Sequence, residues 1–207
     1  MAYKVIKRIL DIVLSLSLFI VISPFLVILA VIVEIKMGHP FYFVQNRTTK
    51  DERVFKLIKF RSMTNAKDKD GNLLPNDLRR TKFGNWLRSS SLDELPEIIN
   101  IIKGDMSIIG PRPLVVQYKG YYKEEEMPRF KVRGGLIPPE VMHGFDPCWD
   151  DQLKWDAEYA NDCSFKTDLK AFYCVFVTLF ERNKEQTGSV SRKTLIEERP
   201  YMNKNNE

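Results

Sequence analysis

Residues 12–33 read IVLSLSLFIVISPFLVILAVIV, 22 consecutive positions without a charge. At 1.5 Å per residue a straight helix here extends roughly 33 Å, enough to cross a hydrocarbon core of about 30 Å. The stretch is too long for the apolar region of a cleaved signal peptide, and no small-residue cleavage site follows it. Ser23-Pro24 falls near its middle. Pro24 has no N–H for the carbonyl of Ile20, so the helix should bend there, with the Ser23 hydroxyl available to the freed backbone. A sharp bend leaves arms of roughly 22 Å (Ile9 to Ser23) and roughly 18 Å (Pro24 to Ile35), neither of which spans. Lys4, Lys7 and Arg8 precede the stretch, and Lys36, Arg47, Lys50 and Arg53 follow it, so the positive-inside bias draws both ends to the cytoplasmic face. Two readings stand: a Pro-kinked spanning helix, and a re-entrant hairpin of two half-helices that satisfies both pulls.

Working outward, the 207-residue chain is 44% hydrophobic, enough for one good-sized domain beside the anchor. Its net charge of +5 suits anionic partners such as phospholipid, sugar nucleotide or nucleic acid without choosing among them. Three cysteines, Cys148, Cys163 and Cys174, with no CxxC spacing support neither a disulfide framework nor a zinc site. Residues 41–63 are rich in aromatic and β-branched side chains around a polar TTKDER turn, which predicts a hairpin. Residues 66–80 predict a loop. Helices are expected over 81–90 and 93–103, the second ended by Gly104, and GPRP at 110–113 is expected to be extended. Further helices are expected over 150–161 and 164–182. In the latter, Leu169, Phe172, Phe176, Leu179 and Phe180 form a stripe that reads as core, or beside a membrane anchor as an interfacial face. From Asn183 the chain is polar and is expected to be a mobile tail.

The chemistry centres on Asp93 and Glu94, within SLDELP at 91–96. One reading is structural: Ser91-Leu92-Asp93-Glu94 fits a capping box, and a second register makes Asp93 itself the N-cap. The other is catalytic. Lys59, Arg61, Arg88 and Arg112 lie in short structured segments, and guanidinium forks bind phosphate oxygens in bidentate fashion. A carboxylate in such company can attack phosphorus, and a neighbouring one can hold Mg²⁺ against phosphate oxygens. Ser89, Ser90 and Ser91 have only His39 and His143 as imidazole bases and no GxSxG elbow, and the chain has neither a P-loop nor GxGxxG. Aromatic and basic residues interleave at 55–61 without a recognition motif, so nucleic acid is not an expected partner.

KRILD (7–11), Ser23-Pro24, FVQNR (43–47), FKLIKFRSM (55–63), LRSSSLDELPEIINIIKGDMSIIGPRPL (87–114) and SFKTDLK (164–170) together resemble the bacterial sugar transferases known as small monotopic phosphoglycosyl transferases, over roughly residues 3–180. The resemblance implies a mainly α fold with a small extended or β element. It implies a re-entrant helix-break-helix membrane anchor over 1–38, a cytosolic globular catalytic domain with interfacial amphipathic helices over 39–182, and a polar tail over 183–207. It places the protein on the cytoplasmic face of the bacterial inner membrane, against phospholipid, and leaves homo-oligomerisation open. It implies transfer of a phosphosugar from a nucleotide sugar, usually UDP-linked, to polyprenol phosphate, releasing UMP, with Mg²⁺ required. Asp93 is then the nucleophile, Glu94 the metal ligand, and Lys59, Arg88 and Arg112 the phosphate contacts, joined by Arg61 from the reading above. Asp168 has a supporting role. The chain departs from the family at VRGGLIPPEVMHGF (132–145), where Phe145 stands in place of an expected Arg; Arg129, Lys131 and Arg133 are the candidate substitutes. An inactive membrane-anchored binding protein on the same fold is the alternative this departure leaves.

Overall fold

A computed structural model describes residues 2–144, 147–181 and 193–202. In chain order the elements are α1 (Ala2–Met37), β1 (Tyr42–Thr48), β2 (Val54–Phe60), α2 (Asn76–Arg79), α3 (Lys82–Ser89), α4 (Glu97–Lys103), β3 (Met106–Ile109), β4 (Gly134–Ile137), α5 (Trp149–Asn161), α6 (Phe165–Glu181) and α7 (Leu195–Glu198), with short 3₁₀ turns between them. The fold is mainly helical, with two small sheets, β1 with β2 and β3 with β4. The chain divides into two compact units, one of Ile12–Gln45 and Lys56–Gly104, the other of Met1–Asp11, Asn46–Phe55 and Asp105–Glu207.

Helix α1 runs for 36 residues with Pro24 inside it. The helical backbone passes through Pro24 because the carbonyl of Ile20 accepts from the Ser23 hydroxyl at 2.9 Å in place of the missing N–H. Its burial is one-sided. In the first unit Leu26, Leu29, Val33 and Met37 are buried against Phe60 and Leu87, with Phe19, Ile22 and Ala30 partly buried beside them. These positions recur every three or four residues, one stripe of the helix. The other faces stay open, Val21 being 76% and Ile35 75% exposed, which suits contact with acyl chains.

Within this unit Asn100 fastens α4 to β2. Its side-chain oxygen accepts from the N–H of Ile58 at 3.1 Å and its amide donates to the carbonyl of Lys56 at 2.8 Å. A side chain that offers a peptide-like donor and acceptor thereby sets the strand's register and the direction of Lys59. Gly104 ends α4 in the left-handed region, as expected.

In the second unit β3 and β4 pair in parallel, Met106 opposite Gly134 and Ile109 opposite Ile137. A Cβ on Gly135 would lie 2.1 Å from the nitrogen of Gly110, so only glycine allows the GPRP segment so close. The prolines of that segment cannot donate, but four consecutive carbonyls find partners. Pro111 accepts from the N–H of Gly135 (2.9 Å), Arg112 from the Arg129 guanidinium (2.7 Å), Pro113 from Arg47 (3.0 Å) and Leu114 from the N–H of Thr48 (2.9 Å). Arg129 is held in turn by Asp156 at 3.0 Å, both fully buried.

Two expectations are corrected here. Leu169, Phe172 and Phe176 are not core: they are 56%, 46% and 46% exposed, and the buried side of α6 is carried by Asp168 and Ala171. Periodicity identifies a face but not what covers it; Leu179 and Phe180 have side chains outside the described set. The polar stretch after Asn183 is not all tail, because Leu195 is fully buried and Arg199 nearly so.

Candidate active site

Helix α3 starts at Thr81, whose hydroxyl accepts from the N–H of Gly84 at 2.9 Å. It ends in the serine run. Ser89 and Ser90 donate to the carbonyl of Trp86 at 3.0 and 2.9 Å, satisfying the last turn, which accounts for these hydroxyls without a nucleophilic role. Ser91 then adopts φ 56°, a left-handed conformation that costs a non-glycine residue about 1–2 kcal/mol. Leu92–Glu94 form a single 3₁₀ turn, and α4 begins only after Pro96. Neither capping arrangement exists: Ser91 makes no side-chain cap, and the N-cap position of α4 belongs to Pro96. The strained turn instead presents Asp93 as a buried carboxylate.

Burial pushes the Asp93 carboxyl above the usual carboxylate range and Glu94 pushes it the same way, while Lys59 and Arg88 pull it down. Lys59 sits between two acids, its Nζ 2.6 Å from Glu94 and 3.1 Å from Glu97. Arg88 donates through Nε to the Ser62 hydroxyl at 2.7 Å, which leaves the fork of its guanidinium for other acceptors. Asp93, Glu94, Lys59 and Arg88 are thus gathered in one unit. Arg61 belongs to the same unit but is turned to the carbonyl of His39 at 2.9 Å.

Arg112 belongs to the second unit, where it lines a cavity of about 440 Å³ together with Arg47, Tyr118, Glu140, Trp149 and Gln152. Of the substitutes for the missing loop arginine, Arg129 is buried in its pair with Asp156, and Lys131 donates to Asn161 at 3.0 Å. Phe145 lies outside the described residues.

Asp168, on α6, gathers three donors from two other elements: Lys7 at 2.6 Å and Tyr3 from α1, and Tyr159 from α5 at 2.5 Å. It ties the start of α1 to α5 and α6. Asp11 does similar work, accepting from the Ser107 hydroxyl at 2.8 Å and the N–H of Ile108 at 3.0 Å, both on β3. Asp11 has no role legible in KRILD, and Glu97 and Asn100 do not stand out in PEIINII. The one local signal was Glu97 three positions after Glu94, the spacing that lets two acids share one cation on a helical turn.

Among the described residues no cluster of three or more His, Cys, Asp or Glu could hold a metal. Mg²⁺ commonly needs only one or two carboxylates, with substrate phosphates and water completing the shell, and the neighbouring carboxylates of Asp93 and Glu94 are hard oxygen donors of that kind.

Residues 2–182 match the bacterial sugar transferase family, and the chain belongs to that family. It is 35% identical over 190 residues to the uncharacterized sugar transferase EpsL of Bacillus subtilis, covering 90% of this chain and 94% of that one. It is 36% identical over 188 residues to the UDP-glucose:undecaprenyl-phosphate glucose-1-phosphate transferase of Klebsiella pneumoniae, covering 86% of this chain and 40% of the relative. With the UDP-N-acetylgalactosamine-undecaprenyl-phosphate N-acetylgalactosaminephosphotransferase of Aeromonas hydrophila it shares 34% over 176 residues, 81% of this chain and 42% of that one. The chain therefore spans nearly all of EpsL but less than half the length of the relatives whose names state a reaction.

Proposed function

We propose that the chain transfers a phosphosugar from a UDP-sugar to polyprenol phosphate, the first membrane step of a glycoconjugate, through a covalent intermediate on Asp93. A carboxylate oxygen of Asp93 attacks the β-phosphorus, the bond from that phosphorus to the bridging oxygen breaks, and UMP departs with the electron pair. A phosphate oxygen of the polyprenol phosphate then attacks the same phosphorus and expels the Asp93 carboxylate, giving polyprenyl diphosphate sugar. The observation that carries this reading is the placement of Asp93 itself: a buried carboxyl on a strained turn, raised in pKa by burial and by Glu94, with Lys59 and Arg88 acting against that rise. The relatives' named reactions supply the substrate classes. Arg88 and Arg112 are assigned to the donor's phosphates. Lys59 is assigned to them through its hold on Glu94, which together with those phosphates would bind Mg²⁺, an ion that neutralises phosphate charge when present.

One-sided anchoring is part of the same reading, and two contacts support it. Among the described residues, α1 alone is long and apolar enough to cross a bilayer, which is consistent with a chain that keeps to one side after Met37. Lys7 is bound to Asp168 and Asp11 to Ser107, which holds the start of α1 on that side too. A helix with both ends on one face must dip and return, with the bend assigned to Ser23-Pro24.

Purified protein with Mg²⁺ and a panel of UDP-sugars should release UMP on addition of polyprenol phosphate. Release from none of the panel would favour a binding protein on the same fold.

A further inference from the structure

The family match ends at residue 182, yet residues 193–202 are folded into the second unit. Thr194 and Glu197 form a reciprocal cap at the start of α7, and Leu195 enters an apolar cluster with Leu114, Tyr121, Trp149 and Leu153. Arg199 makes a bidentate pair with Glu126 at 2.6 and 2.8 Å, donates to the carbonyl of Tyr121 at 2.9 Å and also contacts Asp150. Buried forked pairs of this kind hold position more than a surface ion pair does. The indole N–H of Trp149 donates to the carbonyl of Lys193 at 2.9 Å. Trp149 is also a wall of the Arg112 cavity, with Tyr118 edge-on to it at 5.3 Å. The segment thus grips one wall of the cavity by its N–H, while Leu195 packs in the same cluster as the ring. No residue from 193 to 202 is itself among the cavity's lining.

We infer that Lys193–Met202 is a clasp that holds Trp149 as the aromatic wall of the Arg112 cavity and thereby sets the chain's affinity for the nucleotide part of its donor. The inference rests on the reading of Arg112 as a donor-phosphate contact. The cavity's lining is of the residue types that hold a nucleoside diphosphate: two arginines, Arg47 and Arg112, two aromatic rings, Tyr118 and Trp149, and the polar side chains of Glu140 and Gln152. Arg199 and Leu195 are positioning residues here, acting through Trp149.

The test uses the full chain in detergent or nanodiscs, with UDP as the probe and UMP release as the second readout. If loss of the clasp leaves the wall in place about a tenth of the time, the Kd for UDP rises about tenfold. Arg199→Ala and Leu195→Ala should show that rise together with a matching rise in KM, at nearly constant kcat. Arg199→Lys, which keeps the charge but not the fork, should lie between. Unfolding alone would lower kcat per total protein and leave KM where it was, so unchanged KM and Kd in folded Arg199→Ala overturns the clasp. Should these variants fail to fold, hydrogen exchange of the parent decides: UDP should slow exchange across residues 193–202, and no change there overturns the proposal. A parent that binds UDP with clasp-dependent affinity but releases no UMP would sink the transferase reading and spare this one. Turnover with clasp-independent KM would do the reverse.

Discussion

The proposed mechanism places opposing demands on Asp93: burial, to exclude water from a phosphoryl adduct, and ionisation, to attack phosphorus. Burial raises its pKa and Lys59 and Arg88 work against that rise, so the site is electrostatically tense at neutral pH. The sign of the consequence for stability is fixed. A carboxyl whose folded pKa lies above its unfolded value of about 3.9 binds its proton more tightly when folded, so the native state loses stability as pH rises above that value. Asp93→Asn removes the charge at constant shape, and it should raise the melting temperature at pH 7–8 by a few degrees. The gain should shrink toward pH 4, which thermal unfolding across pH measures directly. A variant less stable than the parent at pH 8 would mean that the carboxylate is held by favourable partners and is not tense at all. Ser91 and Asp93 also mark what the sequence could not disclose. SLDE at 91–94 fits a capping box in every local respect, but the left-handed Ser91 turns the chain before a cap can form. Nothing in four residues announces a φ of 56°.

At the scale of elements, the hairpin, α3, α4, α5 and the extended GPRP segment were legible, because each carries its own periodicity or punctuation: Thr81 and Gly104 bound helices, and Pro111 and Pro113 forbid one. What joins elements was not. Asn100 reads as one polar residue among isoleucines in EIINIIK, and only the fold shows it clamping two backbone groups of β2. Removing it strands the N–H of Ile58 and the carbonyl of Lys56, so Asn100→Ala should cost about 2–3 kcal/mol in chemical unfolding. A cost near zero would mean the clamp is incidental. Helix α6 misled for a related reason: its apolar stripe was real, but among the described residues no protein covers it. With Phe172 and Phe176 both 46% exposed, the face fits a bilayer interface. Phe172→Asp with Phe176→Asp should weaken binding of the full chain to anionic vesicles while leaving its melting temperature within about a degree. Surface substitutions away from packing cost roughly 0.5 kcal/mol or less. Loss of folding would instead assign these rings to a core.

For the whole molecule, the anchor and the polar segments are bound at both ends of α1, at Lys7 and Asp11 and again at Val33 and Met37. The re-entrant reading therefore predicts that Ala2→Cys in cells resists a membrane-impermeant maleimide added from outside and reacts once the membrane is permeabilised. Equal labelling before and after would make α1 a spanning helix. On the proposed reading, such anchoring would set the chemistry beside a lipid-borne acceptor, and one chain would carry both an apolar stripe open to acyl chains and a carboxylate near Lys59 and Arg88. The most direct measurement is the intact mass of the full chain incubated with Mg²⁺ and the UDP-sugar that it turns over, without polyprenol phosphate. The account predicts an added phosphosugar, mapped to Asp93, absent from Asp93→Asn and discharged when polyprenol phosphate is supplied. An adduct that persists in Asp93→Asn, or turnover by that variant at the parent's rate, would contradict it.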